Sequence, residues 1–149
     1  MSFRQATAED FVGLDAPELM HSSFKNFSYP LGCSISELDT AMGDGDFAFI
    51  QSETLVGFTR IKGAFGGIAY LDLHLLADDC EPLVEELLIY LGENYDIGKY
   101  YILLLTHEQR ELACLEKLNF SEETRLKEHV FIDGEYHDVL MMGSVDYRV

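Results

Sequence analysis

From Pro82 onward the apolar residues fall at helical spacing. Leu83, Val84, Leu87, Leu88 and Leu91 share one face, with Glu85, Glu86 and Glu93 as polar insertions. This spacing predicts an amphipathic helix of about 14 residues. Tyr100–Thr106 is an almost unbroken apolar run, the pattern of a central strand covered on both faces. Glu108–Leu118 carries Leu112, Leu115 and Leu118 in a stripe and predicts a second helix, closed by Asn119, a residue that tolerates the left-handed C′ conformation. Ahead of these elements, Phe47–Ser52 and Leu55–Lys62 read as a hairpin around Glu53-Thr54. Gly63, Gly66 and Gly67 lead into a further strand, Ile68–Leu76. Its alternation puts Tyr70, Asp72 and His74 on one face and Ala69, Leu71, Leu73 and Leu75 on the other. The chain closes with Arg125–Ile132 and Glu135–Val145, a hairpin around Asp133-Gly134.

The first third is less regular. Residues 2–7 alternate weakly, as a short strand does, and Thr7 with Asp10 resembles a capping box that starts a helix at Ala8. Pro17 suits the first turn of a second helical segment carrying Leu19, Met20, Phe24 and Phe27. Ser34 with Glu37 opens a short helix to about Met42, ended by the turn cluster Gly43-Asp44-Gly45-Asp46. The order β-α-α-β-β-β-α-β-α-β-β predicts an α+β, three-layer domain. Its sheet is mixed, mostly antiparallel and twisted, with about seven strands, helices on both faces and one βαβ crossover in the second half. A length of 149 residues fits a single domain spanning 1–149.

Charge narrows the choice of partner. Lys and Arg number 10 against 27 Asp and Glu, so 10 − 27 = −17 at pH 7. Such a surface repels phosphate, and no basic stripe offsets it, which argues against nucleic acid. Lys25 to Arg60 and Lys62 to Lys99 are both spans free of intervening basic residues, so the middle of the chain carries a field that attracts cationic amines. The longest strongly apolar run, Tyr100–Leu105, is far short of the ~18 residues of a membrane span. Met-Ser-Phe-Arg-Gln-Ala has no apolar core of a secretory signal, so a cytoplasmic location without membrane attachment is expected. Cys33, Cys80 and Cys114 are an odd set without C-x-x-C spacing, which reads as small apolar side chains and not as a disulfide framework or a metal site. Asp44-Gly45-Asp46 is too short for a calcium loop.

Several stretches as written resemble the GNAT superfamily of acetyl-CoA-dependent N-acyltransferases. "FRQATAEDF" is similar to the family's opening strand and helix, and "LVGFTRI" to its third strand. The stretch "LACLEKLNFSEETRLKEHVFIDGEYHDVLMMGSV" closely resembles the branch that acetylates N-terminal amines of ribosomal proteins, and related acetyltransferases, and residues 107–145 match well. The resemblance implies the GNAT fold, acetyl-CoA as cofactor, and an amine as acceptor, either a small cationic molecule or a protein N-terminus. In the family the cofactor diphosphate rests on a loop after the fourth strand, usually R/Q-x-x-G-x-G/A. Here that stretch is Leu76-Ala77-Asp78-Asp79-Cys80-Glu81-Pro82-Leu83, with no glycine, arginine or glutamine. Acids ahead of a helix satisfy its free N–H groups, so the chain's own carboxylates can occupy the anion site. By family position Leu73, Leu75, Leu83 and Glu108 border the cofactor. Glu108 stands where an Asn often contacts the pantetheine arm, and Leu115 where many members have Tyr.

Acetyl transfer needs a neutral amine and a proton acceptor near the gap between the fourth and fifth strands, where the family holds the thioester. The residues available there are Asp72 and His74 on one strand and His107 at the end of the next. An unperturbed imidazole, with a pKa near ~6.5, suits a base at neutral pH, and His74 has the better position of these. Glu135-Tyr136-His137-Asp138 lacks a nucleophile at triad spacing. The edge strands near the C-terminal hairpin are able to pair two subunits in a homodimer. Two readings stand together: an amine N-acetyltransferase, or a GNAT-fold protein that no longer binds acetyl-CoA and serves as a binding or regulatory module.

Overall fold

The computed structural model describes residues 3–6, 46–132 and 134–147. The helices expected between Ala8 and Met42, the turn at 43–45 and Cys33 lie outside the described residues.

Seven strands form one sheet: β1 (Phe3–Gln5), β2 (Asp46–Gln51), β3 (Thr54–Phe65), β4 (Ile68–Leu75), β5 (Lys99–Leu105), β6 (Ser121–Ile132) and β7 (Glu135–Gly143). Helices α1 (Glu81–Tyr95) and α2 (Gln109–Lys117) interrupt the second half. The strand order is β1-β2-β3-β4-β5-β7-β6. Among the described strands only β4 and β5 run parallel, joined by the α1 crossover; every other neighbouring pair of them is antiparallel. This is the mixed, mostly antiparallel α+β sheet that the element order predicts.

One face of the sheet carries the main core. Phe47, Phe49, Leu71, Leu73, Leu75, Ile102, Leu104, Leu140 and Met142 pack there with Val84, Leu87, Leu88 and Leu91 of α1 and Cys114 and Leu115 of α2. Both described helices therefore cover the same face. Tyr100 is fully buried, and its hydroxyl donates to the Leu88 carbonyl. That bond ties β5 to α1, and removal from water raises the phenol's pKa.

Two element ends differ from the sequence pattern in informative ways, and a third agrees with it. The first hairpin turns at Ser52-Glu53, not Glu53-Thr54, with φ of 51° and 65° and Gln51 paired to Thr54. A two-residue hairpin of this hand needs positive φ at both central positions. Thr54 is β-branched and resists that region, so the turn slips back by one residue. Strand β3 runs on to Phe65, because Gly66-Gly67, with φ of 62° and 80°, closes a second tight hairpin onto Ile68. Asn119 takes the left-handed conformation (φ 66°) at the end of α2, as its identity suggests.

Candidate functional site at the fork of β4 and β5

The parallel ladder between β4 and β5 is short. It pairs Ile68 with Lys99 through Leu71 with Ile102 and stops there. β5 continues to Leu105 against β7, while β4 continues to Leu75 against β3. The two central strands thus part into a fork, and from Asp72 onward β4 is not paired to β5.

The candidate bases lie on β4. Leu73 and Leu75 point into the helix-covered core, so of these two only the main chain can face the fork. Asp72 and His74 project to the other face, as the alternation predicts. Asp72 is completely buried, which the sequence pattern does not suggest. Its cross-strand neighbour is Arg60, 7% exposed. Directly opposite residues on one face have Cβ atoms about 5 Å apart. Burial lowers the pKa of Lys62, and the Asp72 charge opposes that shift. His74 is half-buried and stands opposite Phe58. Gly57 faces Leu75, and a Cβ there would meet the His74 carbonyl oxygen at 2.9 Å, so glycine is what lets β3 approach β4 here.

His107 sits apart, exposed in the turn after β5. Its ring meets that of His137 on β7 edge-on, centroids 5.3 Å apart.

The residues that span the fork come from the first turn of α2. Glu108, 6% exposed, accepts the Leu105 N–H at 3.0 Å, on the β5 arm. Glu111, 5% exposed, accepts the Leu75 N–H at 2.9 Å, on the β4 arm. Arg110 donates to the Leu75 carbonyl at 3.3 Å and to Asp78 at 3.0 Å. Sequence reasoning singles out Glu108 but misses Glu111 and Arg110. A signal for Glu111 exists: it stands four and seven residues before Leu115 and Leu118, on the buried face of the helix. An acid on an apolar face requires a buried donor.

The loop leading into α1 is equally self-contained. Asp79 is in the left-handed region, φ 60°. Lys117 of α2 pairs with Glu81 at 3.1 Å and reaches Asp79 at 3.9 Å. The carboxyl of Glu81 lies below the usual carboxylate range, first because its own backbone N–H donates to it and then because of Lys117. Pro82 has no N–H, and the N–H groups of Leu83 and Val84 both go to the Cys80 carbonyl at 3.0 Å. The donors at residues 81–84 are thus consumed within the chain. Asp78, Asp79 and Glu81 are matched by two cations, Arg110 and Lys117, not left as three uncompensated charges. In this arrangement the loop does not fit a diphosphate, which needs free donors at that helix end.

The thiols near the loop are inert in character. Cys80 and Cys114 are buried and free. Burial pushes the Cys114 pKa up to about 12, with Glu81 adding to the effect, and burial likewise raises that of Cys80. The thiolate is the reactive form, so a Cys33→Ser variant should leave native protein unreactive to a thiol reagent at pH 8. Two thiols should appear on unfolding. Rapid labelling of the folded variant would contradict this burial.

Among the described residues, no helix is long and apolar enough to cross a membrane. No protein-family model matches the sequence, and no curated protein matches it. Solved structures do match in three dimensions. The chain resembles a spermidine N-acetyltransferase from Vibrio cholerae solved with CoA and spermine, at TM-score 0.76 and 18% identity, over 97% of this chain and 94% of that one. A ribosomal L7/L12 α-N-protein acetyltransferase in complex with coenzyme A matches at TM-score 0.75 and 15% identity, over 99% and 94%. A ribosomal-protein-S5-alanine acetyltransferase from Vibrio fischeri matches at 0.70 and 11%, over 97% and 92%. The fold of this chain is the GNAT acetyltransferase fold.

Proposed function

We propose that this protein is an amine N-acetyltransferase that uses acetyl-CoA as acyl donor. The observation that carries the reading is the fork between β4 and β5, with Asp72 and His74 on one arm, in a chain similar over nearly its whole length to amine acetyltransferases. The acceptor is a cationic small molecule or a protein N-terminus. The chain's −17 charge favours such a ligand, and the similar spermidine enzyme holds spermine.

Their surroundings support the following roles for the chain's own residues. His74, half-buried and two residues nearer the fork's mouth than Asp72, accepts the proton that the amine must lose. Asp72 is buried against Arg60 and acts on the site through charge and position. Leu83 and the main chain of Leu73 and Leu75 border the donor's place, with Glu108 across the fork. His107 lies at the rim, against His137.

A specific observation favours a second reading. The N–H groups of Leu75 and of residues 81–84 are all used internally or absent. A chain locked in this arrangement would be a GNAT-fold binding module with no cofactor. Calorimetric titration with acetyl-CoA at low and moderate salt decides between the two. Saturable binding in the micromolar range, with acetylation of polyamines or N-terminal peptides, is the expected result. No heat at millimolar acetyl-CoA would leave the binding module.

A further inference from the structure

A groove lies at the end of α1 remote from the fork. Leu88, Ile89, Gly92 and Glu93 of the helix line it together with Ile97 and Tyr147, and it encloses about 240 Å³. The chain after β7 is strapped down here: Tyr147 donates its N–H to the Gly98 carbonyl at 2.6 Å, and its ring meets that of Tyr100 edge-on. Gly98 in turn donates to Gly67, at the hairpin end of the β4–β5 ladder, whereas the fork opens at the other end, past Leu71 and Ile102. Leu88 and Ile97 are buried and give the groove an apolar floor, while Ile89 stays 44% exposed at its lip.

The charges around the groove are one-sided. Glu93 lines it, and Glu85 stands eight residues earlier on the helix, about 12 Å along the axis. Both are exposed, and neither has an ion-pair partner among the described residues. Glu81 and Glu123, by contrast, are matched by Lys117 and Lys99. The charge of Glu85 reaches the groove: burial first, and then Glu85, raises the pKa of the Tyr147 phenol. None of the lining residues is basic. Carboxylates beside apolar walls favour a ligand that is positive at one end and apolar over the rest, and a tyrosine ring adds attraction for a cation.

We propose that this groove is a second ligand site, separate from the fork, that takes a small primary ammonium ion carrying an apolar body. The apolar body lies against Leu88, Ile89 and Ile97, and the ammonium is directed toward Glu93 and Glu85. An apolar cavity of roughly 150 Å³ holds benzene, so the space here suits a ligand of about nine non-hydrogen atoms. 2-Phenylethylammonium has that size and that division of charge.

The test titrates the full chain with 2-phenylethylammonium while its backbone amides are followed by NMR. 2-Phenylethanol, the same body without the charge, is the control. The amine should shift Gly92, Glu93 and Tyr147 saturably and bind at least ~10-fold tighter than the alcohol, a difference of about 1.4 kcal/mol. In the double variant Glu85→Gln with Glu93→Gln, whose changes are both at exposed positions, the amine should fall to the level of the alcohol. Equal binding of amine and alcohol to wild type overturns the proposal, because the carboxylates then select nothing. Unchanged amine affinity in the double variant overturns it as well. Shifts confined to Asp72, His74 and their neighbours also overturn it: the amine is then held only at the fork, and the acetyltransferase reading is untouched. No shift at any of these amides removes the second site.

Discussion

Exchange of Arg60 for methionine is expected to cost about 3 kcal/mol of folding stability. Arg60 and Asp72 face each other across β3 and β4, and both are buried. Removing one of two opposite charges buried at facing positions leaves the other less compensated, and breaking a fully formed buried pair costs ~3–5 kcal/mol. Lys62, whose ammonium interacts with Asp72, remains as a partial partner and sets the expectation at the lower end. Urea unfolding reads the loss directly: with slopes near ~1–3 kcal/mol/M, the midpoint should fall by roughly 1–3 M. The double variant Arg60→Met with Asp72→Leu should recover most of it, since an apolar pair of similar volume often replaces a buried ion pair without loss. A midpoint shift below about 0.3 M for the single variant would mean that the two charges are not coupled in the fold.

Replacing His74 with alanine should lower turnover of amine acetylation by about 10²-fold or more, the usual contribution of a positioned base. Donor affinity should barely change, because His74 projects from the face opposite Leu73 and Leu75. Added imidazole should restore part of the rate in the variant. A purely structural histidine would lower stability and leave the variant unresponsive to imidazole. Wild-type turnover in a folded His74→Ala protein would remove this residue from the chemistry.

Much of the architecture is legible in the residues. The leucine spacing of α1, the apolar run of β5 and the alternation of β4 each bury the side chains that their period assigns to the core. Asn119 and Gly66-Gly67 stand where positive φ is required. The errors are instructive because each has a local competitor. Thr54 cannot take the left-handed turn, so Ser52 does. Asp72 looks like a solvent-facing strand residue until Arg60 is placed opposite it, a pairing set by the bulge between Ile61 and Gly63 and by the second hairpin. The loop after β4 reads as a concentration of negative charge, yet Arg110 and Lys117 arrive from α2 to match most of it.

Over the described residues the sequence by itself determined the elements, their order, the crossover and the faces they bury, because those follow from short-range periodicity and turn chemistry. It also determined that the loop before α1 lacks the glycines of an anion cradle. Only the tertiary structure decided what fills that place. Glu111 meets Leu75 across 36 residues of chain, and Glu108 and Arg110 close the same fork. Such contacts depend on where α2 docks and how far β4 and β5 splay. Those are properties of the whole packed sheet that no local pattern encodes.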